Sequence, residues 1–215
     1  MPQFDPKIAF RAFDDRAHAI AFCRGHIRLS TLTRCRAIED VQRRDVGEGE
    51  IRWQSGSLDF GQGGPDDYRQ IRAARRLHIE VPPGSGWRIE NCMAVENIGN
   101  ANLLCLSEDA AVIARKFGQY VAEIPWPRRL LLCVNDAFER EGNRQNFAWG
   151  RVNYTGRDVN ALAEPQAPIG FLKEGAYADE RELRMLWAPL DPRIEIKQRD
   201  MSIDVSDLGL CVIGP

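Results

Sequence analysis

The sequence lacks the features that place a protein in or across a membrane. No run of residues approaches the roughly 18 consecutive apolar residues that a membrane-spanning helix needs. The N-terminal segment, MPQFDPKIAF, does not have the basic and then apolar stretches of a secretory signal. We therefore expect a protein that stays in the cytoplasm and has no membrane partner.

Closely spaced cysteine pairs are missing as well. The chain has six cysteines, but none of them forms a Cys-x-x-Cys pair, and two follow apolar runs, in LLCLS and LLLCVND. Zinc sites usually need such pairs, whereas isolated cysteines in apolar segments are commonly buried, reduced thiols. The sequence therefore predicts no metal bound through cysteine.

Lysine is scarce, and the positive charge is carried by arginine. Only four of the 29 basic residues are lysines, and arginines cluster within residues 24–44 and 69–76. The planar guanidinium group is suited to phosphate, so these clusters fit a dinucleotide or a nucleic acid as ligand. Solvated arginines on an ordinary surface would produce the same pattern.

The order of predicted elements favours an α+β fold. The 215 residues show no internal repeat and no clear linker, which predicts a single domain over 1–215. Predicted strands outnumber helices and follow one another along the chain. This order predicts a mainly antiparallel, split or bent sheet with about three helices.

The first 32 residues give the clearest local pattern. Residues 7–13 alternate as a strand with Arg11 on the face opposite Phe10, Asp14 or Asp15 then caps a helix that Gly25 ends, and residues 26–32 form a second strand. The other predicted elements are a basic helical turn over 70–76, a helix over 109–123, buried strands over 103–107 and 129–134, a hairpin of 77–81 with 87–96, and strands over 151–155, 194–197 and 210–213.

The stretch 171–187, FLKEGAYADERELRMLW, carries the most suggestive chemistry. In an extended chain, Glu180, Glu182 and Arg184 share one face, and apolar residues such as Leu183 occupy the other. One carboxylate could hydrogen-bond a ribose hydroxyl or stabilise a developing positive charge while the other positions a nucleophile. Folded as a helix, the same residues would give a Glu180–Arg184 pair on an ordinary amphipathic surface.

A second acidic segment, residues 39–50, permits a different functional interpretation. Five carboxylates fall within twelve residues, and their density could hold a divalent cation as in a metal-dependent nuclease. Their spacing matches no calcium loop, so a solvated turn with internal salt bridges is the other interpretation. The five residues are Glu39, Asp40, Asp45, Glu48 and Glu50.

Several of these motifs, taken in order, resemble a broad bacterial family of unknown function. Its members open with an aromatic-basic strand, continue with a Gly and a strand ending in Ser, carry an apolar-Ser strand end, and close with Lys-x3-aromatic-x2-Glu-x-Glu-x-Arg. An Asn-Asp-Pro segment common in that family is replaced by Ile38-Glu39-Asp40. The matching residues here are Phe10-Arg11, Gly25 to Ser30, 105–107, Lys173, Tyr177, Glu180, Glu182 and Arg184.

A looser similarity is to the ADP-ribosyltransferase fold, carried by the order Arg, Ser and Glu-x-Glu. This resemblance implies that NAD is the substrate and that Arg11 binds its diphosphate or ribose. Either Ser30 or Ser107 would support the nicotinamide ribose. The resemblance further implies a catalytic Glu182 and a Glu180 that orients the acceptor. If residues 180–187 form a strand, its charged face, which includes Arg184, should look into a cleft that Arg11 also reaches and that Tyr154 helps to wall.

The resemblance predicts an NAD-using, ADP-ribosyltransferase-like effector with a toxin or antiviral-defence role. Such a protein would transfer ADP-ribose to a protein or nucleic-acid acceptor, or would cleave NAD. Two alternatives come from the residues themselves: a metal-dependent nuclease built on the acidic segment, and a non-catalytic module that binds nucleic acid or another partner.

Overall fold

The computed structural model describes residues 6–37, 45–60, 68–81, 86–191 and 193–214. The chain forms two compact units. Unit 1 comprises Met1–Glu48, Gly99–Val152 and Ala176–Pro215, and unit 2 comprises Gly49–Ile98 and Asn153–Gly175. The single domain over 1–215 stays a prediction. In the described part of the chain, no helix has both the length and the apolar character needed to cross a membrane.

The described residues form an α+β structure, as predicted. The strands are β1 (Ala9–Phe13), β2 (His26–Thr31), β3 (Glu50–Gln54), β4 (Ser57–Phe60), β5 (Trp87–Glu90), β6 (Met93–Asn97), β7 (Asn102–Ser107), β8 (Tyr120–Ile124), β9 (Gln145–Arg151), β10 (Asp158–Asn160), β11 (Glu182–Pro189), β12 (Arg199–Ser202) and β13 (Cys211–Ile213). The helices are α1 (Arg16–Cys23), α2 (Leu32–Ala37), α3 (Tyr68–Arg76), α4 (Ala110–Phe117) and α5 (Pro127–Arg140), with 3-10 helices at Ile169–Phe171 and Gly175–Glu180.

The main sheet belongs to unit 1 and is antiparallel. Its strand order is β12-β2-β7-β1-β8-β13, and β11 pairs with both β7 and β9. Along its whole length, β7 pairs with β11 on one edge. Its other edge is therefore shared: β2 pairs at Asn102 and Leu103, and β1 pairs at Ser107. The sheet is consequently split between β1 and β2.

One face of this sheet carries the core of unit 1. On β11 the side chains of Leu183, Met185 and Trp187 are buried, as alternation predicts. They belong to the same apolar cluster as residues of β7 and α5. The Phe138 ring of α5 lies 6.1 Å from the Trp187 ring. Complete burial of each such side chain contributes about 1.5–3 kcal/mol, so this face fixes the register of β11.

Unit 2 has a smaller core of its own. Strands β3 and β6 pair antiparallel, β10 adds parallel to β3, and β4 pairs with β5. Ile51 and Trp53 of β3 are buried in one cluster with Ala73 and Ala74 of α3. Arg76 of α3 stacks over Trp53 at 4.3 Å.

The start of the chain confirms the local predictions. Strand β1, helix α1 and strand β2 form where expected, and the Asp15 side chain caps α1 by accepting from the Ala17 amide at 2.7 Å. The predicted strand end at Ser107, the basic helix before Leu77 and the C-terminal strand β13 are also present.

Two predicted elements have the wrong type or length. Residues 129–134 lie in α5, not in a strand, because Pro127 starts a helix whose buried positions Leu130, Val134 and Phe138 recur every four residues. The helix predicted over 109–123 ends at Phe117. Gly118 has a φ of 133°, a region that disfavours side chains, and β8 follows it.

Several pairings and the number of helices also differ. The predicted hairpin does not form, because β5 pairs with β4 and because 77–81 is not a strand. The turn at 82–85 lies outside the described residues. Strand β9 ends at Arg151, so the strand over 151–155 is wrong, and β12 forms instead of a strand over 194–197. The described residues contain five α-helices, not about three.

Candidate functional site

Three predicted motifs meet on adjacent strands of the split sheet. In the strand register, Glu182 of β11 pairs with Ser107 of β7, and Ser107 pairs with Phe10 of β1. Paired residues of antiparallel strands project to the same face. Phe10, Ser107 and Glu182 therefore form one row across the sheet. Arg11, which pairs with Ala122 of β8, projects to the opposite face of β1.

Further polar residues share this face. Arg184 pairs with Cys105 two positions along β11, and Ser30 of β2 pairs with Leu103 two positions further along β7. The face opposite the core is thus lined with hydroxyl, thiol, carboxylate and guanidinium groups. Ser107 lies directly beside Glu182, whereas Ser30 lies at the other end of β7.

Arg184 holds two buried carboxylates. Its Nε donates to Glu182 Oε1 at 2.7 Å, and its Nη1 donates to Glu48 Oε1 at 2.5 Å. Arg184, Glu182 and Glu48 are 1 %, 4 % and 3 % exposed. We refer to these three residues as the Arg184 cluster. Charges so far from water are costly unless they are paired, so each member depends on the others.

The electrostatics of the Arg184 cluster keep the guanidinium charged. Burial lowers the pKa of Arg184, but Glu182 and Glu48 raise it, and the net pKa is well above its ordinary value. The charge of Glu182 is therefore balanced by a fixed cation. One Glu182 oxygen is oriented by this contact, as a carboxylate that must stabilise a substrate cation requires.

Glu180 does not continue the strand, although the alternation predicted that it would. It ends the 3-10 helix Gly175–Glu180, and Arg181 has a φ of 45°, which breaks the alternation before β11 begins at Glu182. The Glu180 side chain is buried, with Oε1 3.6 Å from Lys116 Nζ. Glu180 and Glu182 therefore belong to different local structures, because Glu180 ends a 3-10 helix and Glu182 begins β11.

The two candidate serines have different surroundings. Ser107 is buried, donates from Oγ to the Glu180 carbonyl oxygen at 2.6 Å and accepts from the Asp109 amide at 2.9 Å. Ser30 Oγ lies 3.8 Å from the Sγ of Cys35. Burial, followed by the charge of Glu48, raises the pKa of Cys35, which places this thiol near the Arg184 cluster.

Arg11 follows Phe10 and has no carboxylate partner in the described part of the chain. Its guanidinium carbon lies 5.6 Å from the ring centroids of both Phe13 and Phe22. Burial lowers the pKa of Arg11, while the thiols of Cys105 and Cys35 raise it. Arg11 also lines a cavity of about 460 Å³ beside α1, which we call the α1 cavity.

The described walls of the α1 cavity include neither Ser107 nor Glu182. Direct contact between Arg11 and the Glu182 face is thus not seen, and the shared cleft stays a prediction. Tyr154 lies half-buried in unit 2, and its role as a wall of the cleft also stays a prediction.

Two carboxylates of the acidic segment, residues 39–50, make hydrogen bonds within the protein. Glu48 is engaged by Arg184, and Asp45 is buried and accepts from the Gly47 amide at 3.2 Å. Glu39 and Asp40 lie outside the described residues. Within the ranges that the structure describes, no group of three or more His, Cys, Asp or Glu residues could hold a metal ion.

Two arginines of the basic helix α3 have their partners within unit 2. Arg72 and Arg76 both pair with Glu164, and Arg76 also donates to the carbonyl oxygens of Ala161 and Ala163. These arginines hold unit 2 together, so they contribute less to a phosphate-binding surface than the sequence suggested.

Sequence reasoning missed the partners of the site. Glu48 was considered as a metal ligand or as part of a solvated turn with internal salt bridges, and Cys35 was not considered as a site residue. The Glu48 contact joins residues 136 positions apart and leaves no local signal. Comparisons with family models, curated proteins and solved structures gave no match to this chain.

Proposed function

We propose that this protein is an NAD-using, ADP-ribosyltransferase-like enzyme whose catalytic carboxylate is Glu182. The observation that carries the proposal is the register of β11 on β7, which sets Glu182 directly opposite Ser107, whose strand also pairs with β1, the strand that bears Arg11. The resemblance of the motifs supplied these three residue types, and the sheet gathers their strands. The proposal extends to a toxin or antiviral-defence role only through that resemblance.

The proposed cleavage of NAD requires mainly a carboxylate held close to the ribose. The bond between the nicotinamide nitrogen and ribose C1′ breaks, and nicotinamide leaves with the bonding electron pair. The ribose becomes cation-like, and a carboxylate in a site of low dielectric stabilises that charge far more than one in water. An acceptor oxygen or nitrogen, or water, then attacks C1′ and releases a proton.

Each residue of the site has an assigned role in the proposal. Glu182 hydrogen-bonds the ribose and stabilises its developing charge, and Arg184 fixes the orientation of that carboxylate. Ser107 supports the nicotinamide ribose, and Glu180 orients the acceptor and receives its proton. Arg11 has no role in this proposal, because its guanidinium lies by Phe13 and Phe22 in the wall of the α1 cavity, whose described lining includes neither Ser107 nor Glu182.

Access to the carboxylate is the demanding step. Glu182 is 4 % exposed, so NAD must displace side chains that cover the row before C1′ can approach the carboxylate. Such a site excludes bulk water from the reacting bond, which favours transfer to a bound acceptor over hydrolysis.

The wild-type protein provides the first test. It is incubated with NAD alone and with NAD plus mixed cellular protein, DNA or RNA, and released nicotinamide and acceptor-bound ADP-ribose are both quantified. The proposal predicts nicotinamide release that one acceptor class increases. No release under any of these conditions would remove the proposed activity.

The nuclease alternative is weakened, and the binding-module alternative stays a prediction. Glu48, one of the five carboxylates, is bound to a buried guanidinium that a metal would have to displace. Degradation of nucleic acid that needs magnesium and stops with a chelator would still favour a nuclease.

A further inference from the structure

The α1 cavity has the size and wall chemistry of a small-molecule site. Its volume of about 460 Å³ falls within the roughly 300–1,000 Å³ typical of ligand pockets. The apolar part of its wall is formed by Phe13, Ala21, Phe22 and Met201. Two of these are aromatic rings, which suit a flat apolar body.

One positive charge on the wall of the α1 cavity is not balanced by any carboxylate among the residues that the structure describes. Arg28 is neutralised by Asp200, since its Nε lies 2.7 Å from Asp200 Oδ1. Arg11 makes neither a hydrogen bond nor an ion pair with the described residues, and its Nη1 is buried. Because Arg11 lines the cavity, a ligand oxygen there would give its guanidinium an acceptor.

The remaining polar groups on the wall do not change this balance. His26 Nδ1 lies 3.2 Å from the Oγ of Ser202, and His18 is exposed at the rim on α1. The charges of Arg11, Arg28 and Asp200 sum to one positive charge. A monoanion matches this charge, whereas a phosphate monoester would bring a second negative charge next to Asp200.

We propose that the α1 cavity binds a small organic monoanion, a carboxylate on an aromatic body, with the carboxylate on Arg11 and the body against Phe13 and Phe22. A guanidinium presents two parallel N–H donors that match a carboxylate. This inference goes beyond the proposed function, because the site requires neither NAD nor Glu182.

The test compares three probes that share one ring system. Binding of 2-naphthoate, 2-naphthyl phosphate and 2-naphthol to the full chain is measured by calorimetry at about pH 8, where free imidazole side chains are neutral. The proposal predicts that 2-naphthoate binds at least tenfold more tightly than either of the others. Equal binding of 2-naphthol would overturn the role of the charge, and tighter binding of the phosphate would overturn the monoanion.

Variants assign the binding to the cavity. Arg11→Met keeps apolar contact with the two rings and should weaken 2-naphthoate binding at least tenfold, whereas Arg16→Met, on the exposed start of α1, should not. Ala21→Phe fills the cavity and leaves Arg11 in place. It therefore shows whether the probe binds in the α1 cavity even if Arg11→Met does not fold. Unchanged binding in Ala21→Phe would place the probe elsewhere.

Two further readouts separate this site from the proposed activity. Glu182→Gln should bind 2-naphthoate as the wild type does, even though it should release no nicotinamide. Addition of NAD should not displace the probe. Displacement by NAD would assign Arg11 to the nucleotide and overturn the separate site, and it would leave the proposed NAD chemistry standing.

Discussion

Arg184 Nη1 donates to Glu48 Oε1 at 2.5 Å, although 136 residues separate the two positions in the chain. The same guanidinium holds Glu182 through Nε at 2.7 Å. A single buried cation therefore joins the loop before unit 2 to the strand that carries the proposed catalytic carboxylate. The stability of unit 1 and the orientation of Glu182 depend on the same contact.

Removal of this cation should destabilise the fold strongly. Arg184→Met would remove the guanidinium that two buried carboxylates share, and loss of one member of a buried ion pair typically costs about 3–5 kcal/mol. Urea unfolding measures this loss. Arg144→Met is the matched control, because Arg144 is exposed, and it should leave the unfolding midpoint unchanged. Equal midpoints for the two variants would contradict the account of the cluster.

The apolar face of β11 gives an independent stability prediction. Leu183 is 1 % exposed within the core of unit 1, so Leu183→Ala should lower the free energy of unfolding by about 2–5 kcal/mol. Leu190 follows the same strand but is 58 % exposed, and Leu190→Ala should change stability by less than about 0.5 kcal/mol. Similar losses in both variants would mean that Leu183 does not lie in the core of unit 1.

Cys23 should make stability depend on alkaline pH. Burial, with a smaller effect of Cys211, raises the pKa of the Cys23 thiol from 9.0 to about 11. Because the folded pKa is the higher one, the unfolded chain loses this proton first. The stability contributed by the neutral thiol is therefore complete below the unfolded pKa and is lost as the pH rises toward the folded pKa.

Unfolding free energies measured from about pH 8 to pH 11 test this linkage. Cys23→Ala should lose less stability across that interval than the wild type. Cys211→Ala should behave nearly as the wild type does, because burial is the larger cause of the shift. Parallel pH profiles for the wild type and Cys23→Ala would show that the thiol is not protected by the fold.

Local signals explain what the sequence predicted correctly. The Asp15 cap, the helix end before Gly25 and the alternation of Glu182 to Trp187 each depend on residues within one or two turns of chain. Alternation along β11 also predicted that Leu183, Met185 and Trp187 share a buried face. It did not predict that Glu182 and Arg184, on the other face, are buried as well.

Long-range contacts explain the rest. The apolar run at 129–134 fits a strand or a helix, and only packing of α5 on the sheet selects the helix. The left-handed φ of Arg181, which removes Glu180 from the strand, has no signature in the residue type. Nothing near Glu48 indicated Arg184 as its partner, because that contact exists only once the sheet has formed.

The central claim is that the Glu182 carboxylate breaks the nicotinamide–ribose bond, and one pair of substitutions tests it most directly. Glu182→Gln and Glu48→Gln each neutralise one of the two carboxylates bound to Arg184, so each leaves the buried guanidinium with one remaining carboxylate. Both variants should fold. Their effects on catalysis should differ, since only the first removes the carboxylate that faces Ser107.

The measurement is the initial rate of nicotinamide release from NAD by the wild type and the two variants, with folding checked by thermal unfolding. The account predicts at least a hundredfold loss for Glu182→Gln, of the order found when one transition-state contact is removed, and a loss of less than about tenfold for Glu48→Gln. Wild-type release that persists in Glu182→Gln, or that falls equally in both variants, would contradict the claim.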